Sequence, residues 1–249
     1  MSAPGSRPLK LASSRAEPDP SCPLGVCDGS GWILGPEDVA RPCECRAPRL
    51  ARRRARGVAS AIPKRFRGVS FDRPPVSDMA QSKGSAEVVK AVRAFTEGIE
   101  ENLDAGRGLW LMGDVGTGKT TLAMIVSKAA VEAGRTVAVY SLPRLLARIR
   151  RTYDAEAGED SYLEFFRRLT SVDLLHIDDL GAEKSSDWVL EQLYAIVDER
   201  YEAERSMVVT TNLDQSSLED QIGPRTVSRL VEICGDPLPL FGEDQRYRA

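Results

Sequence analysis

The 249-residue sequence predicts an α/β fold, with a parallel five-stranded sheet between two layers of helices. Three observations carry that expectation. Five short apolar runs recur from Gly108 onward without alternating, as strands buried on both faces do. Helical patterns separate them, and the first run passes through a glycine-rich turn straight into a helix.

In order, residues 1–20 are rich in Pro, Ser, Ala and charge, and read as a disordered lead-in. Residues 21–60 hold four cysteines followed by an arginine-rich run that includes Arg52, Arg53, Arg54 and Arg56. Residues 61–84 read as an extended linker punctuated by Pro74, Pro75 and Gly84. From residue 85 to residue 249 the texture is that of a folded domain. Val88, Val92, Phe95, Ile99 and Leu103 recur at spacings of three and four and predict one helix. The strands are GLWLM (108–112), TVAVY (136–140), VDLLHI (172–177), MVVTT (207–211) and, more weakly, LPLF (238–241). Helices over 120–133, closed by Gly134, and over 187–202 supply the crossovers.

A net charge of −3 excludes a simple polycation for nucleic acid, so charge has to be read locally. The sequence shows neither a run of about 20 apolar residues nor an N-terminal apolar h-region, so a cytoplasmic protein with no membrane role is expected.

GDVGTGKT, residues 113–120, satisfies G-x-x-x-x-G-K-[ST] between a strand and a helix. Gly113, Asp114, Val115, Gly116, Thr117 and Gly118 form the predicted cradle, where backbone N–H groups and the helix N-terminus attract phosphate. Lys119 adds a full charge near the β- and γ-phosphates of ATP, Thr120 is the expected Mg²⁺ ligand, and Thr121 follows in the first turn. In VDLLHIDDLG, Asp178 ends an apolar strand and is the expected carboxylate on the Mg²⁺ side. Asp179 either orients the attacking water or caps the following turn. As a base it is roughly 1.5 Å shorter than a glutamate, which predicts slow turnover. Asn212, after MVVTT, is the candidate γ-phosphate sensor, or else the start of an Asx turn. His176, inside the same strand as Asp178, reads as packed core.

In PRTVSRLVEIC, Val227, Leu230, Val231 and Cys234 share a face, while Arg225 and Arg229 lie almost opposite. The two arginines either form a solvated face or reach a neighbouring subunit's nucleotide.

Cys22 and Cys27 enclose four residues and Cys43 and Cys45 enclose one, with fifteen between the pairs. Two such pairs fit tetrahedral Zn²⁺, and about 25 residues cannot fold on a core alone. Unliganded thiols and redox chemistry are the alternatives.

The ordered set GDVGTGKT, LLHIDDLG, VVTTNL and RTVSRL resembles the AAA+ ATPases of the DnaC and DnaI helicase-loader type, close siblings of the IstB transposition helpers. The resemblance runs from about Ile62 to the end of the sequence. It implies a P-loop AAA+ core; with only twenty residues after Arg229, no C-terminal helical lid is expected. It also implies ATP hydrolysis between protomers in a ring or spiral, contact with single-stranded DNA, and a hexameric replicative helicase as cargo. Carried over, Arg229 matches an arginine finger, Arg225 a second inter-subunit arginine, and Arg246 a terminal arginine facing the nucleotide. Phe66 and Phe71 would flank the adenine, and a cysteine cluster would dock the helicase. Relatives use the helices between the second and third strands on DNA; here these carry Arg144, Arg148 and Arg151, then Arg167 and Arg168 with Tyr162, Phe165 and Phe166. A solvated amphipathic face explains those arginines equally well. The arginine run at 52–56 could likewise meet DNA or an acidic partner. An IstB-like transposition ATPase and a nucleotide-gated adaptor with negligible turnover remain the competing expectations.

Overall fold

The structure is a computed structural model that describes residues 22–35, 39–46, 62–153, 162–182, 186–242 and 244. The lead-in over 1–20, the arginines at 52, 53, 54 and 56, and Arg246 lie outside the described residues. The chain divides into two compact units, Met1–Leu50 and Ala51–Ala249.

In the first unit, β1 (Trp32–Leu34) pairs antiparallel with β2 (Ala40–Pro42), with Ile33 opposite Arg41. Its centre is the four cysteines, all buried, with Ile33 packed against them. So small a centre removes too little apolar surface from water to offset chain entropy, which leaves the folding of this unit dependent on a cross-link.

In the second unit, a turn at Lys64–Phe66 leads to α1 (Val76–Met79), α2 (Ala86–Glu97) and α3 (Ile99–Asp104). Then come β3 (Leu109–Gly113), α4 (Lys119–Glu132), β4 (Val137–Ser141), α5 (Leu142–Arg151) and α6 (Tyr162–Ser171). The chain continues through β5 (Leu174–Asp178), α7 (Asp187–Glu202), β6 (Ser206–Thr211), α8 (Gln215–Ile222), α9 (Pro224–Cys234) and β7 (Leu238–Leu240). The sheet order is β4-β5-β6-β3-β7 and every pair is parallel. Strand side chains alternate between two cores because the strand period is two. Trp110, Leu175, Ile177, Met207 and Val209 enter one core, with α5 to α9. Leu109, Leu111, Leu174 and Val208 enter the other, with α1, α2, α3 and α4. This is the expected three-layer architecture, and it brings the ends of β3, β5 and β6 together at one edge of the sheet.

Two expectations need correction. The helix read across 85–103 is broken at Gly98, where the Asn102 side chain donates to the Phe95 carbonyl (3.1 Å) and closes α2 before α3 begins. The segment over 61–84 is not an extended linker: Val76 and Met79 are buried in the second core, and the Ser85 hydroxyl ties down the Met79 carbonyl at 2.7 Å. The helix α8 had no counterpart in the sequence reading; Asp214 caps it by accepting from the Ser217 N–H at 2.7 Å.

Candidate active site

The phosphate loop is built by a close approach of two strands. Gly113 ends β3 at φ +133°, and a Cβ there would lie 2.0 Å from the Leu240 carbonyl oxygen of β7. Asp114 continues that link, its N–H donating to Leu240 O (3.1 Å) and its carboxylate accepting from the Gly242 N–H (3.1 Å). Gly116 and Gly118 also take positive φ, and Gly118 caps α4. The Thr117 hydroxyl donates to the Asp114 carbonyl (2.8 Å). Lys119 is buried and folds back onto the loop, donating to the carbonyls of Gly113 (2.8 Å) and Asp114. Burial pulls its ammonium below the usual lysine value, against the attraction of Asp179, Asp114 and Asp178.

β5 delivers Asp178 to this loop. Its Oδ1 accepts from the hydroxyls of Thr120 and Thr210, both at 2.8 Å, so α4 and β6 fix it from two sides. Asp179 follows in a left-handed conformation, φ 57°, with its N–H on the Thr210 hydroxyl (2.9 Å). Burial first, and then the charge of Asp178, push its carboxyl above the usual carboxylate range. A cleft of about 390 Å³ is lined by Arg65, Phe66, Val115, Gly116, Gly118, Lys119, Thr120, Thr121, Asp178, Asp179 and Asn212. Anion-binding backbone and a lysine thus face a hydroxyl and two carboxylates across one cleft. The oxygen donors Thr120 and Asp178 suit Mg²⁺ on a triphosphate.

Residues 95–230, more than half of the chain, match the sequence family described as IstB-like ATP binding protein. The chain belongs to the IstB-like ATP-binding family. It is 27% identical to the replicative helicase loader DnaC of Buchnera aphidicola subsp. Schizaphis graminum, over 76% of this chain and 73% of that one. It is 29% identical to the phage-like element PBSX protein XkdC of Bacillus subtilis, over 95% of this chain and 89% of that one. Among solved structures, the crystal structure of the DnaC helicase loader matches with a TM-score of 0.60 at 26% identity, over 72% of this chain and 99% of that one. This IstB-like chain is a P-loop AAA+ ATPase.

The remaining expected site residues of this IstB-like ATPase separate in space. Phe66 lines the nucleotide cleft, but Phe71 does not. Phe71 lies under the Arg93 guanidinium (4.4 Å) in a second groove between α2 and α4, because the chain has turned away along α4 by that point. Arg225 is exposed at the start of α9. Arg229 is only 24% exposed in its side chain: its Nε meets Asp198 of α7 at 2.7 Å, and its guanidinium lies 4.5 Å from the Tyr201 ring. Cys234 and Phe165 are core. Arg65 was missed as a site residue. Its signal was an arginine directly beside the assigned Phe66.

The four thiols of the first unit lie within 4.8 Å of one another, with Cys27 and Cys45 Sγ 3.6 Å apart. Four sulfurs at about 2.3 Å from Zn²⁺ in a tetrahedron are about 3.8 Å apart, so the residues fit that ion. Backbone N–H groups of Cys27 and then Val26 pull the Cys22 thiol down to about 6, toward the thiolate a metal needs.

Two further surfaces lie on α5. Tyr140, Arg144, Arg148 and Arg151 line a basic groove of about 410 Å³. Arg150, Tyr153, Ser186 and Trp188 line a cleft of about 380 Å³, with the Arg150 guanidinium 4.8 Å from the Trp188 ring. Tyr153 stacks on Tyr162 with ring centroids 5.1 Å apart. The aromatic cleft was invisible in the sequence because Tyr153, in the turn after α5, and Trp188 of α7 lie far apart in the chain. Among the described residues no helix is long and apolar enough to cross a membrane.

Proposed function

We propose that this chain is an ATP-dependent loader that delivers a hexameric replicative helicase onto single-stranded DNA. The similarity to the DnaC loader over 76% of the chain carries this reading, since many proteins share a phosphate loop alone. Lys119 and the loop N–H groups bind the triphosphate. Bound Mg²⁺, held through Thr120 and Asp178, would screen the phosphate charge. Asp179 takes the proton of the attacking water, Asn212 reads the γ-phosphate, and Arg229 and Arg225 of one protomer complete the site of the next in a ring or spiral.

The helices α5 and α6 supply the DNA contact. Arg144, Arg148 and Arg151 suit phosphates, and the Tyr153, Trp188 and Arg150 cleft suits unpaired bases, which stack on such faces without sequence preference. The zinc module and adjoining arginines, residues 21–60, dock the helicase.

The test is co-elution of the full chain with the cognate helicase, with and without ATP, repeated after zinc removal. Complex formation that depends on both supports the loader; a chain that ignores the helicase under every condition overturns it. The match to the IstB-like family favours a second reading, a transposition helper, which would prefer duplex DNA and bind a transposase. The short Asp179 favours a third, a nucleotide-gated adaptor. Single-turnover phosphate release, measured with and without single-stranded DNA, separates the last from an enzyme.

A further inference from the structure

Thr210 stands on β6 one position beyond the pairing of Ile177 with Val209, which brings it level with Asp178 on β5. Val208 enters the core shared with α4, and the strand period of two sends the Thr210 side chain to the same face. Thr210 is fully buried and does not line the nucleotide cleft. Its hydroxyl lies 2.8 Å from Oδ1 of Asp178 and receives the Asp179 N–H at 2.9 Å, while its carbonyl receives the Leu180 N–H at 2.8 Å.

A hydroxyl has one proton to give, and an N–H already fills one of its lone pairs here. The proton therefore goes to the carboxylate of Asp178, and a single oxygen serves both acidic residues in opposite senses. The bond from Asp179 falls on a backbone that needs holding, because φ 57° is a left-handed conformation that an aspartate only tolerates. With the Asp179 N–H on the hydroxyl and the Leu180 N–H on the carbonyl, both amides of that turn are tied to Thr210. A valine here, as at positions 208 and 209, would match the shape of threonine. It would also leave the Asp179 N–H without its acceptor and the Asp178 oxygen with one donor fewer. Thr120, the other donor to that oxygen, lines the cleft and is itself a candidate metal ligand; Thr210 acts only through the two aspartates.

We propose that Thr210 is a positioning residue for both acidic groups of the ATPase site: by donating to Asp178 it aims the carboxylate on the magnesium side, and by accepting from Asp179 it holds the turn that carries the second carboxylate. The inference rests on the proposed roles of Asp178 at the metal and Asp179 at the attacking water. It concerns orientation alone and needs no change of protonation in either residue.

The experiment compares Thr210→Val, which keeps the shape and loses the hydroxyl, with Thr210→Ser, which keeps the hydroxyl and loses a methyl. Mg²⁺ is titrated into the full chain carrying a fluorescent ATP analogue, and single-turnover phosphate release is measured with ATP at saturating Mg²⁺. Losing an outer partner of a metal ligand typically weakens the metal about 10- to 100-fold, so Thr210→Val should raise the half-saturating Mg²⁺ concentration about tenfold. It should also slow release on the order of 10²-fold, the cost of a misplaced group. Thr210→Ser should follow wild type in both, and affinity for the analogue without magnesium should be the same in all three. A threonine that merely fills the core predicts the reverse order, with Thr210→Val harmless and Thr210→Ser the weaker variant. That order, or a magnesium curve or release rate that Thr210→Val leaves unmoved, overturns the proposal. Should Thr210→Val fail to fold, Thr210→Ala against Thr210→Ser isolates the hydroxyl, and equal magnesium curves for those two overturn it as well. If Asp178→Asn leaves the magnesium curve in place, or Asp179→Asn the release rate, the roles of the aspartates are wrong and that of Thr210 goes with them. If both respond and Thr210→Val does not, the role of Thr210 alone falls.

Discussion

Gly113 shows how little room the phosphate loop leaves for a side chain. Its φ of +133° suits glycine, and a Cβ would collide with a backbone oxygen of β7 rather than with a side chain able to move. Gly113→Ala should therefore cost about 1–3 kcal/mol or more in stability and weaken ATP binding, as melting with and without nucleotide would show. Asp179 presents the opposite case, a residue kept at a cost. Its carboxyl is raised above the usual carboxylate range by burial and by Asp178, so the folded chain holds that proton more tightly than the unfolded one. The stability from this residue is complete below the unfolded value and is lost as pH rises through the folded one. Asp179→Asn should thus raise Tm at neutral pH, with a gain that shrinks toward about pH 4. If Asp179 is the base, the same variant should slow phosphate release on the order of 10²- to 10⁴-fold. A Tm gain independent of pH would contradict the electrostatic origin, and unchanged turnover would leave Asp179 as a turn residue.

Between elements, Arg200 of α7 does the joining. Its buried guanidinium donates to the carbonyls of Thr170 and Val172, both at 3.0 Å, and to that of Ser206, and so gathers the end of α6, the approach to β5 and the start of β6. Arg200→Ala would orphan those carbonyls and leave a cavity, so it should destabilise the second unit by about 3–5 kcal/mol in urea denaturation. Arg200 could not be singled out in the sequence, because its partners are backbone carbonyls, two of them 30 and 28 residues away. The strands were legible because burial on both faces leaves a run of apolar residues, and the phosphate site because its chemistry demands a fixed spacing. The break between α2 and α3 was not, since Val92, Phe95, Ile99 and Leu103 keep the helical period across Gly98. Nor was α8, where only Leu218 and Ile222 are buried. The ion pair of Arg229 with Asp198 depends on α7 packing against α9, and helical spacing within α9 is silent about that.

At the scale of the whole chain, the two units stand on different physics. Ala51–Ala249 holds both large apolar cores, while Met1–Leu50 is centred on four thiols and Ile33. With zinc on these four thiols, metal binding and folding would be one equilibrium there. Stripping zinc with a zinc-selective chelator at saturating Mg²⁺ should therefore unfold the first unit alone. Trp32 reports this directly, since the Arg46 guanidinium lies 3.6 Å from its ring in the folded unit. Its fluorescence should change on chelation, while ATP affinity and the melting of the second unit stay as they were. Replacing any one of Cys22, Cys27, Cys43 or Cys45 with Ser should reproduce the effect without chelator. The loader reading adds a consequence that ATPase chemistry does not: helicase co-elution should vanish with the zinc although nucleotide binding survives. Loss of ATP binding along with the metal would mean that the units do not fold independently, and a purified chain free of zinc with Trp32 still in its native environment would remove the metal from the account.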